Sequence, residues 1–355
     1  MTLHIAAEIV GTGSYLPETS VDNYTLYENR ELRAAFDVER ARSSLHAVDD
    51  PAALSDAEVF DCWTKQMTGI HARRVLDRAT GMTTEDMAAE ASLRALEAAG
   101  MEARDLDLLY VASLTCADEV PNAACTVADR IGAPELGGYL LNAACAGFVS
   151  GLASGWAAIA AGMAESVLVA SADTLTRYVS PSDTRTAVLF GDGAGAVVLR
   201  RTGTERGVLG PPVMFGQFDR TALHMVGQGW ETDEEPVAKL HMVGGPRILR
   251  NAITAMARAG GDALSLAGLA WADVDLVVPH QANARITAGL AKHLGLGTGQ
   301  VVHNIRDYGN MSASSVAVTL DEIVRGRHGE IPDPATTVLT AIGGGYTVAA
   351  AVVRV

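Results

Sequence analysis

Two rhythms alternate along the chain: apolar residues at helical spacing, then short unbroken apolar runs. From 82 to 100 the apolar positions of TTEDMAAEASLRALEAAG recur at helical spacing, behind a threonine cap and ahead of a closing glycine, which predicts a helix. The run LDLLYVASL follows and reads as a buried strand. The alternation continues with a helix over 122–131, the strand GGYLLNAA, the helix CAGFVSGLASGWAAIAAGMA and the strand SVLVASAD. This order predicts an α/β fold whose sheet is mostly parallel, with helices on both faces.

Near the start, the apolar run at 5–10 leads into GTGSYLP, read as a strand and then a turn. A GxG after a strand is also how a dinucleotide-binding turn begins, but Leu16 occupies the place of the third glycine, which favours a structural turn. Residues 21–61 are polar and weakly apolar, an inserted or peripheral element. Beyond 206 the theme returns as a helix over 246–264, the strand VDLVVPH, helices over 282–294 and 312–324, and the strands TVLTAIGG and TVAAAVVRV. GAGAVVLRR closes the first part and AAAVVRV the second, each behind a glycine cluster, GDG or GGG. These parallels predict two similarly built halves, 1–205 and 206–355.

Composition removes several alternatives. With 355 residues, 48% hydrophobic and 19% charged, the chain has ample apolar material for a large core. A formal charge of −15 without any strongly basic run argues against a general nucleic-acid binder. The four cysteines, Cys62, Cys116, Cys125 and Cys145, form no CxxC pair, and MTLHIAAEIVGTG lacks the layout of a signal peptide. Free thiols in a reducing cytoplasm fit that usage. The run 136–164 carries no charge and is long enough to span a bilayer, yet it is rich in Gly, Ser and Ala and is interrupted by Asn142. A strand feeding a helix buried on all sides is the better reading.

Within that run, NAACAGF sets Cys145 among small neighbours. At a helix N-terminus the thiol would meet unpaired amides and the positive end of the helix dipole, lowering its pKa from roughly 8.5 toward or below neutrality. An inert buried cysteine fits the local sequence equally well. His280 ends the strand VDLVVP, where open α/β sheets place ligands, although a histidine there is also an ordinary structural residue. Asn310 lies in RDYGNMSASS, a glycine turn into a helix, and reads as a cap or as a functional amide. GGGYT, residues 343–347, is either a tight hairpin or a source of amides aimed at a thioester oxygen.

Together and in this order, the motifs resemble those of the β-ketoacyl-ACP synthase III family, condensing enzymes of the thiolase superfamily. They are GTGSYLPE near the start, TGIHARR at 68–74, AACAGF, FGDGAGAVVL at 190–199, PHQAN at 279–283, GNMSASS at 309–315 and GGGYT. The resemblance implies a thiolase-like, five-layer αβαβα sandwich of duplicated βαβαβ halves, the first carrying the cysteine and the second the histidine and asparagine. It implies that Cys145 is the acyl-accepting nucleophile, that His280 and Asn310 are the other catalytic residues, and that the amides of Cys145 and Gly344 form the oxyanion hole. Trp63 falls where relatives stack the adenine of coenzyme A, and Val120 where they shape the acyl pocket across a homodimer interface. Asn283 and Arg285 fall at substrate or carrier contacts, and Arg73, Arg74, Arg285 and Lys292 are expected to form a basic patch for an acidic acyl carrier protein.

The activity so implied is loading of an acyl group from a coenzyme A or carrier-protein thioester, then decarboxylating condensation with a malonyl-carrier extender. It requires no metal or cofactor. The same residues also suit acyl transfer to a hydroxyl, an amine or a second carrier without carbon–carbon bond formation, whereas a non-catalytic partner subunit would have no use for Cys145. Met67 and Thr184 stand where many relatives have arginines near the coenzyme A phosphates, although Arg185 is adjacent. The chain is also longer between Glu18 and Trp63 than the housekeeping enzymes, which points to a specialised fatty-acid or polyketide pathway. In related olefin-pathway thiolases a glutamate base occupies the place of Val120, which disfavours their mechanism here, with Glu119 one residue away.

Overall fold

The computed structural model describes residues 7–201, 206–219, 223–225, 240–242, 245–297 and 299–355. Ile5 and Ala6 of the first apolar run, and the expected boundary at Glu205, lie outside them. One five-stranded sheet runs in the order Glu8–Tyr15, Asp192–Arg200, Ser166–Thr174, Leu108–Ala112, Gly138–Leu141. The other orders Leu276–Pro279, Thr336–Gly343, Gly345–Arg354 and Gly207–Val208, with Val213–Asp219 also on Gly345–Arg354.

Neither sheet is mostly parallel, which corrects the expectation from the sequence. Asp192–Arg200 runs antiparallel to both its neighbours, and only Leu108–Ala112 pairs in parallel on both sides. In the second sheet Leu276–Pro279 pairs in parallel with Thr336–Gly343, and every other pairing is antiparallel. The reason is connection length: Gly344 alone joins the last two strands, and a parallel return needs a crossover of a dozen or more residues.

Six helices complete five layers. Thr84–Ala99 and Ala123–Arg130 cover the outer face of the first sheet, Gly245–Leu266 and Ala284–Leu294 that of the second, and Gly147–Ala160 with Ser314–Val324 fill the space between. The uncharged run thus resolves into an edge strand and a central helix, with Phe148, Leu152 and Ile159 wholly buried. Each such side chain contributes roughly 1.5–3 kcal/mol of burial. No helix among the described residues is long and apolar enough to cross a membrane.

The GTG segment is not a turn. Gly11 and Gly13 lie inside the first strand, where an added Cβ would come within 2.2 Å of the Ala95 carbonyl oxygen and 2.3 Å of that of Ala91. The glycines let Thr84–Ala99 lie against the strand backbone, and no phosphate-binding loop forms.

Residues 21–61 are not peripheral. Their acidic and polar residues cap short helices: Asp22, Asn29 and Asp37 accept from first-turn amides of Asn23–Tyr27, Arg30–Ala35 and Val38–Ser43, and Ser55 caps Asp56–Thr68. Their aromatics build a separate core of Tyr27, Phe36 and Phe60, which packs against Leu175, Val188, Phe190 and Ile305. The segment therefore buttresses the loop that carries Asn310.

Candidate active site

Cys145 sits in the 3-10 turn Ala144–Ala146, one step before the central helix Gly147–Ala160. Asn142 starts the turn by accepting from the Ala144 amide at 3.3 Å, and Ala144 adopts φ 49°, a left-handed conformation that costs a residue with a Cβ roughly 1–2 kcal/mol. An added Cβ on Gly147 would meet that of Ala112 at 2.9 Å, so the glycine lets the helix start directly on the sheet. The small neighbours are what a sharp strand-to-helix turn requires.

The opposing half closes over this turn. A Cβ on Gly343 would stand 3.0 Å from the Cys145 amide nitrogen, which puts the triple-glycine hairpin against the cysteine backbone. Gly344 follows, with its own open face toward the Leu223 carbonyl oxygen.

Asn310 is fixed by its backbone and by one end of its amide. Its N–H donates to Leu189, its carbonyl accepts from Gly191, and its side-chain Oδ1 accepts from the Ser312 amide at 2.9 Å. Holding Oδ1 determines the amide orientation, and Nδ2 is the end left free to donate. His280 is buried at the end of Leu276–Pro279, its N–H bonded to the Thr340 carbonyl and its Nδ1 2.9 Å from the Ser315 hydroxyl. Nε2 has no protein partner among the described residues. Burial pushes the imidazole pKa down to about 4, so the ring is neutral at physiological pH.

Ser312 joins these groups. At φ 52° it turns its hydroxyl onto the Cys145 sulfur at 3.7 Å, while its amide holds Asn310 and its carbonyl accepts from Ser315. The Cys145 thiol is buried, and burial raises its pKa to about 12 despite the Ser312 hydroxyl. Desolvation therefore works against the depressed pKa expected from a helix N-terminus.

Sequence reasoning passed over Ser312, Ser315 and Asp173. The two serines stood inside the quoted GNMSASS, and Asp173 is the one charged residue in the strand SVLVASAD. That strand position was a legible signal.

Two family models match the chain: 3-oxoacyl-[acyl-carrier-protein (ACP)] synthase III over residues 140–212, and the C-terminal region of the same synthase over 264–355. A β-ketoacyl-[acyl-carrier-protein] synthase III of Desulfitobacterium hafniense is 36% identical over 358 residues, covering 99% of this chain and 98% of that protein. The chain belongs to the β-ketoacyl-ACP synthase III family. Its members are condensing acyltransferases of thiolase fold. The crystal structure of the synthase III of Aquifex aeolicus superposes with a TM-score of 0.81 at 30% identity, covering 98% of this chain and 100% of that one. A priming β-ketosynthase from a polyketide biosynthetic pathway superposes at 0.83, also 30% identical, over 98% and 96%.

In this synthase III the remaining expected residues fall into different settings. Trp63 is half-buried on Asp56–Thr68, its ring 5.2 Å from that of Phe36, and so belongs to the inserted core's rim. Val120 is 88% exposed in the loop that leads into the helix Ala123–Arg130. Asn283 caps Ala284–Leu294 through Oδ1 and donates from Nδ2 to the Met67 carbonyl at 3.1 Å, so both ends of its amide are engaged. Arg285 and Lys292 lie exposed on that same helix, two turns apart.

The basic patch is smaller than expected. Arg73 is buried, donating to Val21, Asn23 and Val188, and cannot contact a docking protein. Arg74 donates to the carbonyls of Pro17 and Glu18. Acceptors at residues 17–23, joined for Arg73 by the Val188 carbonyl, draw both guanidinium groups inward. Arg185 pairs with Asp183 at 2.9 Å.

Proposed function

We propose that this synthase III loads an acyl group from a coenzyme A or carrier-protein thioester onto Cys145 and condenses it with a malonyl-carrier extender, with loss of carbon dioxide. The observation that carries the reading is the amide of Asn310: with Oδ1 held by Ser312, its free Nδ2 belongs to a loop that also touches the Cys145 sulfur. Cys145 Sγ attacks the thioester carbonyl carbon and the donor thiol leaves, so the acyl group stays activated. The oxyanion is stabilised by the amides of Cys145 and Gly344. In the second half-reaction the malonyl carboxylate departs as carbon dioxide, and the enolate oxygen receives hydrogen bonds from Asn310 Nδ2 and His280 Nε2. A proton on Nε2 requires the Ser315 hydroxyl, 2.9 Å from Nδ1, to turn from the Ser312 carbonyl and donate to Nδ1. The enolate carbon then attacks the acyl carbonyl, and Cys145 leaves as thiolate.

Carrier protein and coenzyme A thioesters are the proposed partners, with Arg285 and Lys292 as the cationic docking residues and Trp63 at the coenzyme A entrance. A homodimer along the edge strand Gly138–Leu141 is supported by the exposure of Tyr139 on that strand. Four free thiols suit a cytoplasmic enzyme. The inserted core, and the structural likeness to a polyketide-priming synthase, support a priming role in a specialised fatty-acid or polyketide pathway.

The test is intact-mass measurement after incubation with a panel of acyl thioesters, followed by malonyl carrier and measurement of carbon dioxide. An acyl adduct on wild type but not on Cys145→Ala, then discharged with carbon dioxide release, is expected. Adduct transfer to an acceptor without carbon dioxide would establish the non-condensing reaction instead.

A further inference from the structure

A cavity of about 280 Å³ opens on the outer face of the second sheet, between the helix Gly245–Leu266 and the strands Val213–Asp219 and Gly345–Arg354. The mechanism above makes no use of it. Phe215, Ile342, Tyr346 and Val348 supply apolar walls from the sheet. From the helix, Ala255 presents only a methyl group and Arg258 stands one turn further on. The space equals that of about nine water molecules in the liquid, so a body of about ten heavy atoms fits.

Two donors at this cavity lack a strong partner. Tyr346 is 7% exposed, and its hydroxyl is buried with no hydrogen-bond partner. A buried hydroxyl left unsatisfied carries a cost that an acceptor on a bound molecule would remove. Arg258 lays its guanidinium over the Phe215 ring, 4.6 Å from the centroid, and pairs with Asp262 at 3.5 Å with both side chains exposed. Exposed pairs of this kind are weak, so the guanidinium can exchange one carboxylate for another. Among the described residues no carboxylate lines the cavity, and an amine would find nothing there to pair with. A phenol and a guanidinium beside apolar walls thus select an apolar body with an anionic acceptor at one end.

We propose that this cavity binds a small monocarboxylate with an apolar body, of the size of octanoate, its carboxylate accepting from Arg258 and from the Tyr346 hydroxyl. The site is separate from the acyl-loading turn, because alternation along the strands divides the two faces. Gly343 turns toward the Cys145 amide, whereas Ile342 and Tyr346 turn away and pack with the helix Gly245–Leu266. A bound carboxylate therefore touches the outer face of the hairpin whose inner face meets the cysteine backbone. Binding there is independent of the chemistry assigned to Cys145.

Isothermal titration calorimetry with octanoate tests this on wild type, Arg258→Gln, Tyr346→Phe and Ala255→Leu, with octanol and octylamine as uncharged and cationic controls. Wild type should bind octanoate at a site that Ala255→Leu abolishes by filling the cavity. Octanol and octylamine should bind wild type roughly 10-fold more weakly than octanoate, the difference that a hydrogen bond to a charged group makes. Arg258→Gln should weaken octanoate by the same factor and bring it level with octanol. Tyr346→Phe should weaken octanoate several-fold and at the same time raise the urea midpoint of the free protein, because it removes an unsatisfied buried hydroxyl. No binding to wild type would overturn the proposal, as would equal affinity for octanoate and octanol. Octanoate that binds Arg258→Gln and Ala255→Leu as it binds wild type lies elsewhere, the surroundings of Cys145 included, and overturns it too. Arg258 is exposed, so Arg258→Gln decides the matter if Ala255→Leu fails to fold.

Discussion

Gly343 packs on the backbone amide of Cys145: a Cβ at this position would stand 3.0 Å from the amide nitrogen, 2.7 Å from the Ala144 Cβ and 2.6 Å from the Ala143 carbonyl oxygen. The contact joins a hairpin of the second sheet to the turn that leaves the first. Gly343→Ala should therefore force the two apart, destabilising the protein by roughly 1–3 kcal/mol. Acylation should fall more steeply than stability, because the amides around the thioester oxygen move with the turn. Urea unfolding and single-turnover acylation on the same preparation check this; parallel small losses would show that the turn adapts.

Asn310→Asp retains the Oδ1 that accepts from Ser312 and loses the Nδ2 donor. Carbon dioxide release from malonyl thioester should drop by about 10²–10³-fold, the usual effect of deleting one oxyanion donor. Acyl loading of Cys145 should change little. Comparable losses in both half-reactions would mean that the loop, and not the donor, had been damaged.

Arg73 is buried, its pKa drawn down to about 10 by desolvation, and it ties residues 21–23 to Val188. Arg73→Met should leave the acceptors of Val21, Asn23 and Val188 without their donor and destabilise by roughly 3 kcal/mol. Chemical denaturation measures the loss, and limited proteolysis should find cleavage first within 21–61. Unchanged stability would indicate that water replaces the guanidinium.

Asp173 also makes a linkage prediction. Its pKa rises on folding from 3.8 to about 6, so its contribution to stability is fully present below pH about 4 and is lost as pH rises through 6. The difference amounts to roughly 3 kcal/mol between those limits. Asp173→Asn removes the titration, so its stability relative to wild type should increase by that order between pH 4 and 7.5. Denaturation curves at the two pH values test it, and a constant difference would mean that the carboxyl does not titrate in this range.

Most helices and strands were legible in the residue pattern, and the five layers followed from the family resemblance. The helix over 82–100 appeared as Thr84–Ala99, with Thr83 capping it and Gly100 in the left-handed conformation at its end, because cap, spacing and terminator are all local. The sheet pairings were not, since an apolar run such as SVLVASAD is the same whether its neighbour runs parallel or antiparallel. GTGSYLP misled for a related reason: Gly11 and Gly13 were read as a turn, but a helix 80 residues downstream is what requires them. Arg73 was assigned to the surface by its charge, although the acceptors that hold it inside come from two distant segments, Val21 with Asn23 and Val188.

By itself the sequence singled out a thiol, an imidazole, an amide and a glycine turn as candidates for the chemistry, because together and in this order their motifs resemble those of one family. Tertiary structure decided how they are held. It turns the Ser312 hydroxyl onto the Cys145 sulfur, fixes the Asn310 amide through the Ser312 N–H, and withdraws the thiol from water so that its pKa rises to about 12. Those properties depend on burial and on partners from strands far apart in the chain, and neither is written in any short stretch of residues.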